Sequence, residues 1–173
     1  MENYWDGENW LKIFKYDDDL MVYFLNNKKH REDGPAEICY YYNGSIRIEE
    51  YYKNGEKHRE NNKPAIIHYR YDGSILRHTF YENNKTHKND GPAHILYYNN
   101  GSIKKEIYFE NGKKHRKDGP SVIWYNENST ISQEEFYFNG NKINQEDVNF
   151  YFPIDTKEKF LFLNLKYSVN KDN

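Results

Sequence analysis

The sequence predicts an all-β fold: an elongated antiparallel array of β-hairpins, with about four to five units of about 28 residues each. Two observations lead to this prediction. A His-Arg or His-Lys step recurs at His30, His58, His87 and His115, at intervals of 28, 29 and 28 residues. Between these steps a period-two alternation of side chains favours strands, and Gly or Pro interrupts the chain about every ten residues, which argues against helices.

The composition fits a single soluble domain with a thin core. Of 173 residues, 36% are apolar and 18% aromatic, while 25 Lys+Arg against 27 Asp+Glu give a net charge of −2. This near balance argues against a generally cationic nucleic-acid binder. A lone cysteine, Cys39, excludes an intrachain disulfide. Because no apolar run is long enough for a membrane span and no signal peptide is recognisable, we expect a soluble, intracellular protein.

The segment after each proline is the first predicted strand of a unit. One parity carries a small residue, then Ile, then Tyr, which is typical of a pleated, half-buried surface. The opposite parity changes from unit to unit. The shared positions are Ala36, Ile38 and Tyr40; Ala65, Ile67 and Tyr69; Ala93, Ile95 and Tyr97; Ser121, Ile123 and Tyr125.

A tight turn and a return strand follow in each unit. Asn43-Gly44, Asp72-Gly73 and Asn100-Gly101 are signals for a type I′ hairpin turn, and Asn128-Ser129 is a weaker version of the same signal. The return strands begin at Ile46, Ile75, Ile103 and Ile131. They end in the aromatic pairs Tyr51-Tyr52, Phe80-Tyr81, Tyr108-Phe109 and Phe136-Tyr137.

A longer loop carries the chain to the next unit. Asn54-Gly55 and Asn111-Gly112 are further turn signals, so these loops are predicted to hold a third short strand. In an antiparallel meander the hairpin turns and the histidine loops lie on opposite edges of the sheet. We expect His–Asp hydrogen bonds to fasten the loops and the Gly before Pro to adopt an unusual backbone. The predicted structural loop residues are His30, Asp33, His58, His87, Asp90, His115 and Asp118.

Segments outside the units are predicted to be caps, because the ends of a repeat array need cover. Residues 1–22 form the N-terminal cap, 23–144 the β-hairpin repeats and 145–173 the C-terminal cap. Asp155 to Glu158 resembles a capping box before residues 160–166, which makes a short C-terminal helix one candidate and a strand the other.

The Asn-Gly-Lys-x-His step, followed by aromatic strands and a further Asn-Gly, resembles the variant MORN repeat (membrane occupation and recognition nexus). The fuller Asn-Gly-Lys-Lys-His-Arg-x-Asp-Gly-Pro-Ala form is similar to repeat proteins of giant DNA viruses of amoebae. The resemblance covers about residues 23–144 and implies an elongated array that scaffolds proteins, self-associates or touches membranes; for a viral protein it implies the host cytoplasm. Lys63-Pro64 in place of Gly-Pro, and Ile143 in place of His, depart from the pattern.

Catalytic and metal chemistry are not expected. Equivalent histidines lie about 10 Å apart across a two-strand unit, whereas the donors of one zinc ion lie only some 3–4 Å from one another. Ser45, Ser74 and Ser102 lie on the edge opposite the histidines, too far away for a catalytic triad. Adjacent glutamates such as Glu49-Glu50 point to opposite faces of a strand. We therefore predict a non-enzyme with no cofactor and no metal site.

Aromatic stripes are the first predicted binding surface. Cross-strand packing is the competing interpretation for them, since aromatic pairs stabilise sheets. Tyrosine also gives a large contact area at low entropy cost in binding surfaces. The candidates for this aromatic face are Tyr40, Tyr69, Tyr97, Tyr125, Tyr41, Tyr98 and Trp124.

A basic loop edge is the second predicted surface, because the four loop windows hold twelve cations and six acids. Such an edge could meet anionic lipid or an acidic protein, or could simply protect the sheet edge. The candidates are Lys29, Arg31, Arg59, Lys88, Lys114 and Arg116. We therefore expect a non-enzymatic scaffold that mediates protein–protein interaction or self-association through the aromatic face. The alternative is a peripheral membrane adaptor that uses the basic edge.

Overall fold

The computed structural model describes residues 2–5, 10–16, 19–82, 84–144 and 147, with side chains from residue 19 onward. Every regular element among them is a β-strand, and the predicted all-β antiparallel hairpin array is confirmed. The strands are β1 (Glu2–Trp5), β2 (Trp10–Tyr16), β3 (Leu20–Leu25), β4 (Lys28–Lys29), β5 (Glu37–Tyr40), β6 (Ile46–Glu50), β7 (Tyr52–Lys53), β8 (Glu56–Lys57), β9 (Ile66–Tyr69), β10 (Ile75–Thr79), β11 (Tyr81–Glu82), β12 (Lys85–Thr86), β13 (His94–Tyr97), β14 (Ile103–Ile107), β15 (Phe109–Glu110), β16 (Lys113–Lys114), β17 (Val122–Tyr125), β18 (Ile131–Phe138) and β19 (Asn141–Ile143).

Thirteen strands form one sheet in the order β1-β2-β3-β5-β6-β9-β10-β13-β14-β17-β18-β19, with β4 paired to β3. Neighbours in this order follow one another along the chain, so the sheet is a meander. Three small hairpins, β7–β8, β11–β12 and β15–β16, lie between the units on the loop edge. A third short strand was predicted in the loops with Asn54-Gly55 and Asn111-Gly112, and the structure has two short strands there, β7–β8 and β15–β16. The hairpin β11–β12 forms without an Asn-Gly signal.

The strands β1, β2 and β3 extend the sheet at its N-terminal end, so residues of the predicted N-terminal cap join it directly. The predicted C-terminal helix lies outside the described residues. Within the described ranges, the structure contains no helix with the length and apolar character needed to cross a membrane.

Cross-strand register divides the side chains between two faces, because residues directly opposite each other share a face. One row runs Ile38, Glu49, Ile67, His78, Ile95, Glu106, Ile123 and Glu134. This is the tyrosine face, since Tyr40, Tyr69, Tyr97 and Tyr125 have the same parity. The row on the variable face is Cys39, Ile48, His68, Arg77, Leu96, Lys105, Trp124 and Gln133. Glu49 and Glu50 lie on opposite faces, as predicted.

Burial follows the shared parity of the first strands. Ala36, Ala65, Ala93 and Ser121 are fully buried, and the isoleucine two residues later is buried in every unit. In the second unit, the aromatic residue that starts the loop-edge segment packs on this layer: Phe80 forms one cluster with Ala93 and Ile95. Ala93 is small enough for the Phe80 ring to pack on it.

The predicted type I′ turn at the hairpin tips is wrong. In the first unit, the Gly44 N–H donates to the Tyr41 carbonyl at 2.9 Å, and only Gly44 of the Asn43-Gly44 pair has a positive φ. This geometry is a type I turn followed by a left-handed glycine. The Asn43 side chain stays free to accept from the Ser45 N–H and hydroxyl at 3.0 and 2.7 Å. The return strand then carries one extra bulged residue in each unit.

True type I′ conformations occur at the second signal instead. Asn54 and Gly55 both have positive φ values of 52° and 89°, and Asn111-Gly112 and Asn139-Gly140 repeat this pair. Both central residues of a type I′ turn need positive φ, which Asn and Gly tolerate best. The same dipeptide therefore makes two different turns, depending on the spacing of the strands it joins.

The glycine before proline has a role different from the predicted one in two loops. Gly34 and Gly119 do not have positive φ values. A Cβ at Gly34 would lie 3.0 Å from the Arg31 guanidinium carbon, and one at Gly119 would lie 3.1 Å from that of Arg116. Glycine thus leaves space beneath the arginine, which a larger residue would crowd. In the third unit, Gly91 does adopt a φ of 141°.

Ser129 offers a direct test of the tip geometry, because it holds the left-handed position, at φ 65°, that Gly44 occupies in the first unit. A left-handed L-residue costs about 1–2 kcal/mol, and glycine's extra unfolded-state freedom costs about 0.5–1 kcal/mol. We expect Ser129→Gly to raise the free energy of unfolding by about 0.5–1 kcal/mol in urea denaturation. Gly44→Ser should lower it; the same sign for both variants would contradict this account.

Candidate functional site

The loop-edge histidines connect neighbouring units. The Nδ1 atom of His30 accepts from the backbone N–H of Asn54 at 3.0 Å. His87 accepts from Asn111 at 3.3 Å and His115 from Asn139 at 3.2 Å, always 24 residues ahead. Each acceptor fixes the type I′ turn of the next small hairpin. These three histidines therefore bond to the next unit, which the sequence analysis did not predict. His87 Nε2 also lies 2.9 Å from the Asn89 side-chain oxygen in its own loop.

The predicted His–Asp bond is wrong for the first and fourth loops. Asp33 accepts from the Nε atom of Arg31 at 2.8 Å, and Asp118 accepts from that of Arg116 at 2.9 Å. The Arg31 guanidinium accordingly lowers the pKa of the Asp33 carboxyl. An arginine two residues away reaches the carboxylate in a planar charge-assisted contact, which leaves the histidine free for the next unit.

The cations of the predicted basic edge stack on aromatic rings. Four of them occupy the residue after each loop histidine and cover an aromatic ring that lies on the loop-edge side of the tyrosine face. The pairs are Arg31 on Tyr23 at 4.2 Å, Arg59 on Tyr51 at 3.6 Å, Lys88 on Phe80 at 4.0 Å and Arg116 on Tyr108 at 4.0 Å. Much of this edge therefore belongs to the packing of the array.

Lys29 and Lys114 also contact aromatic rings, but on the variable face of the sheet. Lys29 pairs with Glu37 and lies 5.1 Å from the Tyr52 ring centroid, and Lys114 lies 4.6 Å from that of Tyr137. Three other lysines, at the tips of the short loop-edge hairpins, are exposed. They are Lys28, Lys85 and Lys113. Their stems lie beside Gly55, Gly112 and Gly140 of the next unit.

Grooves open between successive histidine loops. The first, of about 590 Å³, lies between the His30 and His58 loops. The second, of about 320 Å³, lies between the His58 and His87 loops, and the third, of about 500 Å³, between the His87 and His115 loops. Each is lined by two loop histidines, two stacked cations and several carboxylates. The loop edge is therefore a row of similar polar grooves, one for each pair of units.

Side chains of the tyrosine face form hydrogen bonds with one another. The hydroxyl groups of Tyr69 and Tyr51 donate to Glu49 at 2.9 and 3.3 Å. Tyr125 donates to Glu106 at 2.9 Å, and Tyr97 lies 3.1 Å from His78 Nδ1. Burial first, and then these carboxylates, raise the pKa values of the Tyr69 and Tyr125 hydroxyls. Tyr40 occupies the equivalent half-buried position in the first unit. The packing interpretation of this stripe thus has direct geometric support.

Tyr41 and Tyr98 fasten the hairpin tips. The Tyr41 hydroxyl donates to the Tyr69 carbonyl at 2.9 Å, and the Tyr98 hydroxyl donates to that of Tyr125 at 2.7 Å. Arg70, at the equivalent position of the second unit, donates to the Tyr97 carbonyl. A long donor at this position is needed to reach the next unit. The sequence reasoning placed these tyrosines on a variable binding face and missed this shared role.

Tyr98→Phe tests this fastening. Because it removes one hydrogen bond and leaves the ring, we expect a loss of about 0.5–1.5 kcal/mol in unfolding free energy. The measurement is urea denaturation followed by circular dichroism. Tyr42→Phe is the matched control, because Tyr42 is 92% exposed and should change stability by less than about 0.5 kcal/mol. Equal effects of the two changes would contradict the fastening role.

Cations and histidines occupy the centre of the variable face. Trp124 lies under the Lys105 ammonium at 4.4 Å, and burial lowers the pKa of Lys105. The Arg77 guanidinium lies 2.7 Å from His68 Nε2. Burial, together with Arg77, lowers the pKa of His68 to about 4 and that of His94 to about 4. Cys39 lies at one end of this row, and burial raises the pKa of its thiol.

Among the described residues, the two most exposed tyrosines, Tyr42 and Tyr71, were missed by the sequence reasoning, which named only their neighbour Tyr41. Tyr42 is 92% exposed and Tyr71 is 47% exposed. Their ring centroids lie 5.4 Å apart at an angle of 34°, and Tyr41 meets Tyr71 edge-on, also at 5.4 Å. We call these three residues the tip surface. They lie in turns, outside the strand alternation. The sequence signal for them was a tyrosine directly before the turn dipeptides Asn43-Gly44 and Asp72-Gly73, where the third and fourth units have Asn99 and Glu127.

Among the described residues, no group of three His, Cys, Asp or Glu side chains is arranged to hold a metal ion. Ser45 and Ser102 bond to turn asparagines at the tips, on the edge opposite the loop histidines. No protein-family model, no curated protein and no solved structure matches the chain.

Proposed function

We propose that the chain is a non-enzymatic, MORN-like repeat scaffold that binds protein partners or further copies of itself through the tip surface. The observation that carries this proposal is the stacked, exposed Tyr42–Tyr71 pair in the first two tips. Exposed aromatic clusters are typical of interaction sites, and tyrosine loses little side-chain entropy on binding. The hydrogen-bonded tyrosine face supports the rigid array that presents this surface.

A double variant that copies the later tips tests the proposal. Tyr42→Asn with Tyr71→Glu reproduces the residues at Asn99 and Glu127, so the turns should form as before. We expect self-association in sedimentation velocity, or retention of cross-linked partners, to persist at high salt and to disappear in this variant. Identical behaviour of the variant and the unaltered chain would refute a role for the tip surface.

A peripheral membrane adaptor is the second candidate, and the exposed row of Lys28, Lys85 and Lys113 is what favours it. Basic residues near an anionic bilayer contribute about 1 kcal/mol each. This candidate ranks second because most of the other edge cations, such as Arg31, Lys29 and Lys114, are stacked or paired within the array. It predicts co-sedimentation with anionic but not neutral vesicles at low salt. Changing the three lysines to Glu should abolish that binding without removing any ring contact.

A further inference from the structure

The second histidine loop lacks a carboxylate that the first and fourth loops contain. Arg31 and Arg116 each stack on a tyrosine and bond to an aspartate two residues later. Arg59 stacks on Tyr51 in the same way, but the residue two positions later is Asn61. Within residues 19–82 and 84–144, no carboxylate forms an ion pair with the Arg59 guanidinium; its Nη1 donates to the Pro64 carbonyl at 3.3 Å.

The backbone of this loop is also different. It is one residue longer, and Asn61 and Asn62 both adopt left-handed conformations, at φ values of 60° and 56°. Asparagine tolerates this conformation better than other non-glycine residues do, so the longer loop forms without glycine. Lys63 stands where the other loops have glycine before proline, and it is exposed. The loop has thus exchanged an internal carboxylate for a second cation.

Arg59 and Lys63 line the first two grooves. In the first groove, two of the carboxylates are already engaged: Asp33 by Arg31 at 2.8 Å and Glu60 by Lys53 at 2.6 Å. The third, Glu32, lies 3.8 Å from His30 Nε2. The Arg59 guanidinium is therefore held in position in this groove by its stacking on Tyr51, and no carboxylate of the described residues occupies its planar set of donors.

We propose that the second loop binds an acidic segment of a partner protein, one carboxylate of which accepts from Arg59 as Asp33 accepts from Arg31. The array itself supplies the template, since the same arginine position holds a carboxylate in two other units. Stacking fixes the guanidinium plane, so little ordering is needed on binding. Lys63 adds a second charge for a neighbouring acid. This proposal rests on the proposed function in one respect only: it takes the ligand to be a segment of a partner protein.

The test is an NMR titration of the full chain with a capped hexaglutamate peptide, followed at the Arg59 Nε–Hε resonance. We expect a saturable shift that weakens as salt rises, and no shift with capped hexaglutamine. Asn61→Asp restores the loop's own carboxylate and should weaken binding at least about tenfold. Asn61→Gly, which suits the left-handed backbone, should retain binding. Asp118→Asn should create a second site at Arg116.

Three outcomes would overturn the proposal: equal shifts with hexaglutamine, unchanged affinity in Asn61→Asp, or tighter Arg59-dependent binding of inorganic phosphate, which would make this a phosphate site. The Tyr42→Asn, Tyr71→Glu variant separates this proposal from the proposed function. It should bind the peptide normally. Self-association or partner binding that persists in this variant, with peptide binding intact, would refute only the tip surface. Loss of that association in the variant, with no Arg59 shift when the peptide is added to the unaltered chain, would refute only the acidic-segment site.

Discussion

Replacing His30 by alanine is expected to lower the free energy of unfolding by about 2–3 kcal/mol. The His30 side chain is buried, with 7% of the residue exposed, and its Nδ1 atom accepts from the Asn54 N–H at 3.0 Å. Alanine would leave that donor unsatisfied and create a void between two units. His115→Ala should behave similarly, because His115 is 6% exposed and also packs on Phe138 at 5.0 Å. Urea denaturation measures both effects.

Asparagine separates the hydrogen bond from the packing. Its side-chain oxygen can take the place of Nδ1 as an acceptor, so His30→Asn should recover part of the loss. Lys28→Ala, at an exposed neighbouring position, is the control and should change stability by less than about 0.5 kcal/mol. Equal losses for His30→Ala and His30→Asn would show that the acceptor role contributes nothing.

The expected size of this effect follows from how the array is held together. A thin sheet gains little from burial, so each unit is also bonded to the next at both edges. Histidine accepts on the loop edge, and Tyr41, Arg70 or Tyr98 donates at the tips. Because repeat arrays depend on interfaces between neighbours, these bonds should raise the cooperativity of unfolding.

Most of the fold could be predicted from local patterns. The alternation at Ala36, Ile38 and Tyr40 identified the strand, because alternation depends only on pleating. It did not decide whether this face is buried or binds a partner. The second Asn-Gly signals, Asn54-Gly55 and Asn111-Gly112, correctly indicated further short strands in their loops. The type of the tip turn at Asn43-Gly44 was predicted wrongly, because the same dipeptide serves either turn and the bulge in the return strand decides between them.

The candidate sites were harder to predict, because their partners lie in other units. His30 bonds to a residue 24 positions ahead, and Tyr41 to one 28 positions ahead, so local sequence suggested Asp33 and a free aromatic face instead. Whether a cation is free or stacked depends on rings in a neighbouring strand, as for Arg59 on Tyr51. Exposure of Tyr42 could be read only from the turn geometry.

Acidification is expected to destabilise the sheet between about pH 6.5 and pH 4 through two histidines of the variable face. The pKa values of His68 and His94 are each lowered from 6.5 to about 4, first by burial and then by the charge of Arg77. Lys105 adds to the effect on His94, whereas Glu50 opposes it on His68. The unfolded chain then binds more protons in this window, so stability is complete above it and falls as the pH falls.

Glutamine at these positions should flatten that dependence, since it cannot take up a proton. One such histidine contributes at most about 1.4 kcal/mol per pH unit, and partial exposure reduces this. His68→Gln and His94→Gln should therefore each lower the slope of unfolding free energy against pH, and the double variant more so. NMR titration of the ring protons checks the cause directly. Arg77→Met should move both pKa values upward, because it removes the cation that both imidazoles share; midpoints near 6.5 in the unaltered chain would contradict the prediction.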